Sequence, residues 1–242
     1  MSLEKLRKIA VVTGAGHRVG AIIAKSIVQL GYTLILHYYS SEVEAKELAE
    51  DLRKSDGISY PFQADLTKEM DIKRLWKFVD ELKGDPKLLI NSASIMPMKK
   101  IGYLNKDDFD RIMALNLRAP LLCSQEAVKR MKSGSLIINI SDIASVLGWT
   151  GYPLYSISRA ALDSLTRIMA KEFAPEIRVN GIAPGLILPP DGMESSDWEK
   201  LILKVPLRRS ANEDELRMTI RYLIENNYIT GQTLILDGGR TL

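Results

Sequence analysis

Apolar and polar positions follow two alternating rhythms along almost the whole chain. Short, near-continuous apolar runs predict strands buried on both faces at residues 9–12, 33–37, 59–63, 88–91, 135–141, 177–182 and 232–237. Between them, apolar residues recur at helical spacing. The first such helix begins near Arg18 (Ala21, Ile22, Ala24, Ile27, Val28 and Leu30), and others are predicted at 42–53, 71–82, 152–173 and 213–226. A longer helical region spans 107–131, with a break expected near Pro120. A Pro- and Gly-rich excursion occupies 183–210. Apolar strands separated by amphipathic helices predict an α/β fold, a doubly wound parallel sheet with helices on both faces.

Such a sheet takes its ligand beyond the carboxyl ends of the strands, where the winding reverses. The polar clusters of this chain fall at those ends: Thr13-Gly14, residues 37–41, Asp65, Asn91-Ser92-Ala93-Ser94, Ser141-Asp142 and Pro184-Gly185. In IAVVTGAGHRVG, a strand runs through a glycine turn into a helix. Gly14 permits a tight turn with positive φ, and Gly16 and Gly20 bring no side chain between helix, strand and ligand. The free N–H groups and positive end of the helix dipole then face an anion, here a dinucleotide phosphate, beside His17, Arg18 and Val19. His17 meets that phosphate or is a solvated turn residue. This is a Rossmann-type arrangement, read as a single domain over 1–242.

The end of the second strand bears on which dinucleotide. NAD sites usually place an acid there for the ribose hydroxyls, but this strand ends His37-Tyr38-Tyr39-Ser40-Ser41 with no acid before Glu42. His37, Ser40, Ser41 and Arg18 are all donors for a 2′-phosphate, so the reading favours NADP over NAD. Ser40 or Ser41 also suits the cap of the next helix, and the two roles are compatible. Further along, Tyr155 and Arg159 stand one helical turn apart on a common face. A cation there is expected to lower the phenol's pKa and make it a better proton donor and acceptor; the alternative is an ordinary solvated helix face.

Composition narrows the partners. A net charge of +3, with 33 basic and 30 acidic residues interspersed, gives no block suited to nucleic acid or a membrane surface. The single cysteine, Cys123, excludes an internal disulfide and fits a reducing compartment. With only two histidines, both in the nucleotide region, no metal site is expected. The start MSLEKLRK lacks the apolar core of a signal peptide, so a cytoplasmic protein is expected.

Together these residues resemble the short-chain dehydrogenase/reductase family over essentially the full length. The resemblance is carried by TGAGHRVG, Ala64-Asp65-Leu66, Asn91-Ser92-Ala93-Ser94, Asn116 in LNLRAP, Tyr155 in YSISR, RVNGIAPG and TGQTLILDGG. Arg18, HYYSSEVEA, Ser141-Asp142-Ile143 and GLILPPDGM make the chain most similar to the pteridine reductase branch. The resemblance implies that Tyr155 donates a proton and that residue 159 holds the nicotinamide ribose. It implies that Asn116 supports a water-mediated proton path. Asp65, Leu66, Asn91, Ser92, Ala93, Ser94, Pro184, Gly185 and Leu186 join the cofactor site. Ser94, Met96, Trp149 and Leu188 line the substrate pocket, under a lid at 184–210. Trp149 and Trp198 flank that cleft or serve subunit packing. The helices within 117–131 and 152–173 imply a homodimer or homotetramer.

Three departures from the family pattern bear on the chemistry. Arg159 stands where the family has lysine; it keeps the charge but does not release a proton, so weakened chemistry is expected. Asp142 stands where most members have serine, and an ionised carboxylate accepts rather than donates. It suits a substrate presenting N–H groups or a protonated C=N bond, unless a bulge brings Ser141 forward or Asp142 merely caps the following loop. Met96 replaces an aromatic that stacks on the pterin, and Ser92 replaces an asparagine. Three functions follow: an NADPH-dependent, pteridine-reductase-like enzyme transferring hydride to a C=N or C=O group; a 3-oxoacyl-[acyl-carrier-protein] or other carbonyl reductase; or a dinucleotide-binding protein with little or no catalysis.

Overall fold

The structure, a computed structural model, describes residues 7–242. Seven parallel strands form one sheet: β1 (Lys8–Val12), β2 (Thr33–Tyr38), β3 (Ser59–Gln63), β4 (Asp85–Asn91), β5 (Ser135–Ile140), β6 (Ile177–Pro184) and β7 (Thr233–Leu236). Their order is β3-β2-β1-β4-β5-β6-β7, so the winding reverses between β1 and β4. The helices are α1 (Arg18–Gln29), α2 (Glu42–Lys54), α3 (Glu69–Glu81), α4 (Lys106–Met113), α5 (Ala119–Val128), α6 (Ala144–Leu147), α7 (Pro153–Glu172), α8 (Ser195–Ile202) and α9 (Glu213–Glu225).

The strands are apolar throughout because alternate side chains enter two cores. Ala10, Val12, Leu34 and Leu36 join Ile23 and Ile27 of α1 and Ile220 of α9 on one face. Ile9, Val11, Ile35 and Leu89 meet Trp76 of α3, Cys123 of α5 and Met169 of α7 on the other. Cys123 is fully buried, and burial pushes its thiol up to about 12, so it is a packing residue. α4 and α9 start at Asn105 and Asn212, each in a reciprocal capping box with Asp108 or Glu215.

The expected elements are all present, and the differences have local causes. The helical region around Pro120 does not break there. It widens into a π turn over Ala114–Arg118, between α4 and α5. Pro120 has no N–H, and its ring crowds the carbonyl four residues back, that of Asn116, so the ladder opens before the proline. β4 begins earlier than its apolar run, and its register with β1 shifts at Pro86. The excursion after β6 contains α8, and α6 and a 3-10 turn, Ile101–Tyr103, are too short for a periodic signal. No helix among the described residues is long and apolar enough to cross a membrane.

Candidate active site

The site lies at the carboxyl ends of β1 and β4, and Thr13 ties the two together. Its Oγ1 accepts the N–H groups of Ser92 (2.9 Å) and Ala93 (3.1 Å). Gly14 follows at φ +64°, and a β-carbon there would lie 2.8 Å from the Ala93 backbone. Gly20 packs α1 against the Gly14 carbonyl, which leaves no room for a side chain. The α1 N-terminus has no side-chain cap and no acid in its first turn. A turn this bare, ending in uncapped N–H groups, fits a dinucleotide pyrophosphate. Gly16 sits against Ser41, and Val19 packs partly buried on the core.

Arg18 was expected to face the 2′-phosphate, and His17 to meet a phosphate or to be a solvated turn residue. Instead they grip the segment after β6. Arg18 donates to the Pro189 carbonyl (2.8 Å), the Leu188 carbonyl (3.3 Å) and Asp191 Oδ1 (2.8 Å), and His17 Nε2 lies 3.3 Å from Asp191 Oδ2. These bonds hold the Asp191 carboxyl below the usual range. Arg18 also sits at φ +52°, the left-handed region. Glycine adopts that conformation at least cost, so Arg18 holds it under local backbone strain.

The end of β2 departs from expectation at two side chains. His37 is only 2% exposed and lies beneath the glycine turn. Its Nδ1 accepts the Gly14 N–H (3.0 Å), and its Nε2 donates to the Ala64 carbonyl (3.1 Å). A backbone N–H can only donate and a carbonyl only accept, so the ring is neutral with its proton on Nε2. Burial pushes its pKa down to about 4. It is a brace between β1 and β3, not a phosphate donor. Tyr38 packs into the core beside Leu36. Ser40 is exposed. Ser41 stands at the α2 N-cap position without making a cap bond, so its hydroxyl is free. Asp65 accepts from Thr67 N (3.1 Å) and Oγ1 (2.6 Å), which closes its own loop, and Leu66 is buried in the second core.

Asn91 is likewise turned inward. It donates to Asn139 Oδ1 (2.8 Å) and Ser124 Oγ (3.3 Å), and Asn139 donates to Thr166 Oγ1 (2.8 Å). This buried polar chain pins β4 and β5 to α5 and α7, and the sequence reading had not assembled it. Beyond it, Ser92 and Ala93 are half-buried, whereas Ser94 and Met96 (39% exposed) open to solvent. Asn116, fully buried on the π turn, clamps both backbone groups of Ile95 (2.9 Å each) and donates to Ser158 Oγ (3.1 Å). Ser158 in turn donates to the Tyr155 carbonyl (2.7 Å). The side chain of Asn116 therefore locks the loop after β4 to α7.

Tyr155, Arg159 and Asp142 come together. The Tyr155 hydroxyl donates to Asp142 Oδ2 (2.9 Å), and Asp142 Oδ1 accepts the Ala144 N–H at the start of α6 (2.7 Å), which is the loop-capping reading of Asp142. Arg159 is 3% exposed. Its guanidinium carbon lies 4.8 Å from the Tyr155 ring centre, and Nη1 donates to the Ile140 carbonyl (3.3 Å). Trp149 stacks on Tyr155, with centroids 6.3 Å apart at 26°. Ser141 does not bulge forward: its N–H is in the sheet and its hydroxyl donates to the Arg159 carbonyl (3.4 Å).

The electrostatics reverse one expectation. Arg159 does pull the Tyr155 pKa down, but burial outweighs it and the Asp142 charge adds to burial, which leaves the phenol pushed up to about 12. The Asp142 carboxyl is also raised by burial, against the Ala144 N–H, the Tyr155 hydroxyl and the charges of Arg159 and Arg240. The site thus holds a protonated phenol aimed at a carboxylate under a fixed cation. It can deliver a proton from Tyr155 and accept an N–H at Asp142. Pro184 is buried, Gly185 packs on Asp237, and Leu186 and Leu188 are half-buried where the following segment crosses the glycine turn.

A family model described as enoyl-(acyl carrier protein) reductase matches residues 14–241. The 3-oxoacyl-[acyl-carrier-protein] reductase FabG of Staphylococcus aureus strain Mu50 is 29% identical over 243 residues, covering 97% of this chain and 98% of that protein. The 1-cyclohexenylcarbonyl-CoA reductase of Streptomyces collinus is 30% identical over 246 residues, covering 98% and 88% respectively. Among solved structures, FolM alternative dihydrofolate reductase 1 from Brucella canis, complexed with NADP, matches with a TM-score of 0.89 at 34% identity, covering 97% of this chain and 94% of that one.

Proposed function

The chain belongs to the short-chain dehydrogenase/reductase family, and we propose that it is an NADPH-dependent reductase of the pteridine-reductase kind, acting on a C=N bond in a ring that presents N–H groups. The observation that carries this reading is the Asp142 carboxylate, which takes the place beside the Tyr155 hydroxyl at 2.9 Å while Ser141 is turned into the fold. A hydroxyl there would donate to a ketone oxygen, whereas a carboxylate repels the charge developing on it. The likeness to a FolM protein solved with NADP supports both cofactor and substrate class.

In this mechanism the α1 N-terminus and glycine turn hold the pyrophosphate. Ser40 and Ser41 would hold the 2′-phosphate, and Arg159 would hold the nicotinamide ribose. Bound NADPH supplies hydride to the unsaturated carbon. Asp142 accepts a substrate N–H and orients the ring, and Tyr155 delivers its proton to the neighbouring nitrogen, so that C=N becomes CH–NH. Trp149 and Met96 line the ring pocket, and the segment 184–210 acts as lid. Exposed Ile157 and Ile168 on α7 carry contacts between copies in a homodimer or homotetramer.

The test is fluorescence titration with NADPH and NADH, followed by a panel of dihydropteridine, 3-oxoacyl and diketone substrates. NADPH binding with dihydropteridine turnover is expected. Preferential turnover of 3-oxoacyl substrates moves the assignment to the carbonyl reductases, the reading favoured by the FabG relative. Tight NADPH binding with no turnover makes the protein a dinucleotide-binding scaffold.

A further inference from the structure

The segment after β6 reaches back to the start of α1 and brings an anion of its own. Residues 190–193 form a tight turn, closed by the Met193 N–H donating to the Pro190 carbonyl (3.1 Å). Gly192 takes the positive φ (+74°) that the third position of such a turn favours, and Pro189 and Pro190 stiffen the approach to it. Asp191 stands at the corner of the turn with both carboxylate oxygens engaged, Oδ1 by Arg18 Nη1 (2.8 Å) and Oδ2 by His17 Nε2 (3.3 Å). Arg18 Nη1 also donates to the Pro189 carbonyl (2.8 Å), and Nη2 to the Leu188 carbonyl (3.3 Å). Both N–H bonds of Nη1 are thus spent on this segment.

The two donors flank the α1 N-terminus, which has no side-chain cap and no acid in its own first turn. Asp191, 173 positions beyond Arg18, supplies that acid. The positive helix end and a guanidinium are also what a dinucleotide phosphate needs at this place. Carboxylate and phosphate accept from the same N–H groups, and side by side they repel. We propose that Asp191 is a stand-in anion: in the cofactor-free protein it latches the segment 184–210 across the glycine turn, and a phosphate of the dinucleotide displaces it, which frees the segment to move over the substrate. The latch rests on the reading of the glycine turn as the dinucleotide site. It is built to yield. The Asp191 side chain is 76% exposed, and ion pairs in that setting shift an equilibrium by about fivefold at most, whereas a phosphate also gains the uncapped helix N–H groups.

The experiment titrates NADPH and NADH by fluorescence into the unaltered chain and into Asp191→Asn, which keeps the side chain's size and removes its charge. NADPH is expected to bind Asp191→Asn about three- to fivefold more tightly, because a competitor has gone. A gain for NADPH alone assigns the displacement to the 2′-phosphate, and an equal gain for both dinucleotides assigns it to the pyrophosphate. Unchanged or weaker NADPH binding in Asp191→Asn overturns the proposal, since a carboxylate that merely shapes the site would cost affinity when lost. The second readout is limited proteolysis within 184–210. Without cofactor, Asp191→Asn should be cut faster than the unaltered chain, and at saturating NADPH the two rates should meet, because the latch is then open in both. A difference that persists at saturation means that the contact survives binding, and it also overturns the proposal. If neither dinucleotide binds either protein, the reading of the glycine turn fails and the latch with it; binding without a gain in Asp191→Asn removes the latch alone.

Discussion

The buried His37 brace makes acid a specific threat to the nucleotide end of the fold. In the unfolded chain its imidazole takes a proton near pH 6.5, whereas in the fold it does so at about 4. Between those values protons favour the unfolded chain, so the stability is present above 6.5 and is lost as pH falls towards 4. At about 1.36 kcal/mol per pH unit, the loss from this one group is about 3 kcal/mol. That is a large part of the roughly 5–15 kcal/mol that holds a typical domain together. Protonation also removes the Nδ1 acceptor for the Gly14 N–H, so the glycine turn should loosen before the sheet opens. The assay is urea unfolding at intervals from pH 7 to 4 for the unaltered chain and His37→Gln. The variant should start less stable at pH 7 by about 1–2 kcal/mol, having lost buried hydrogen bonds, and then lose about 3 kcal/mol less on acidification than the unaltered chain. Parallel curves, or an imidazole NMR signal that inflects near 6.5, would refute the reasoning.

Other consequences are equally direct. Arg159→Lys should raise turnover of a good substrate about tenfold, because lysine can pass on a proton that arginine retains; unchanged or lower turnover counts against that view. Tyr155→Phe should reduce kcat at least about 100-fold with NADPH affinity unchanged, as expected for a lost proton donor. Asp191→Ala should unlatch the segment that Arg18 and His17 hold and speed its cleavage in limited proteolysis of the cofactor-free protein; identical cleavage rates would mean that these exposed bonds do not govern the segment.

Much of this was written in the residues. The two rhythms of apolar positions placed every strand, and the departure from the family's serine pointed to Asp142, the observed partner of Tyr155. What was misread at the strand ends followed a rule the sequence also held. Alternation places His37 on the same face as Ile35, Tyr38 with Leu36, and Asn91 with Leu89, all buried partners. Residue type had suggested His37 as a donor and the resemblance had set Asn91 in the cofactor site, but parity in the strand puts these side chains inside. The remaining differences depend on distance along the chain. Arg18 meets residues more than 169 positions away, and the turn after β7 reaches Gly185 only because β6 and β7 are neighbours. The upward pKa of Tyr155 has the same origin, since desolvation depends on what packs around the ring and not on the cation four residues on.

The central claim is that a carboxylate, not a hydroxyl, selects the substrate. The measurement is kcat/KM with NADPH for a dihydropteridine and for a 3-oxoacyl thioester, in the unaltered protein and in Asp142→Ser. The unaltered protein should prefer the dihydropteridine, and the substitution should shift the ratio toward the keto substrate by about 100-fold, the scale of one hydrogen-bonding group at a developing oxyanion. A preference for the keto substrate in the unaltered protein, with a ratio that Asp142→Ser leaves unmoved, would contradict it.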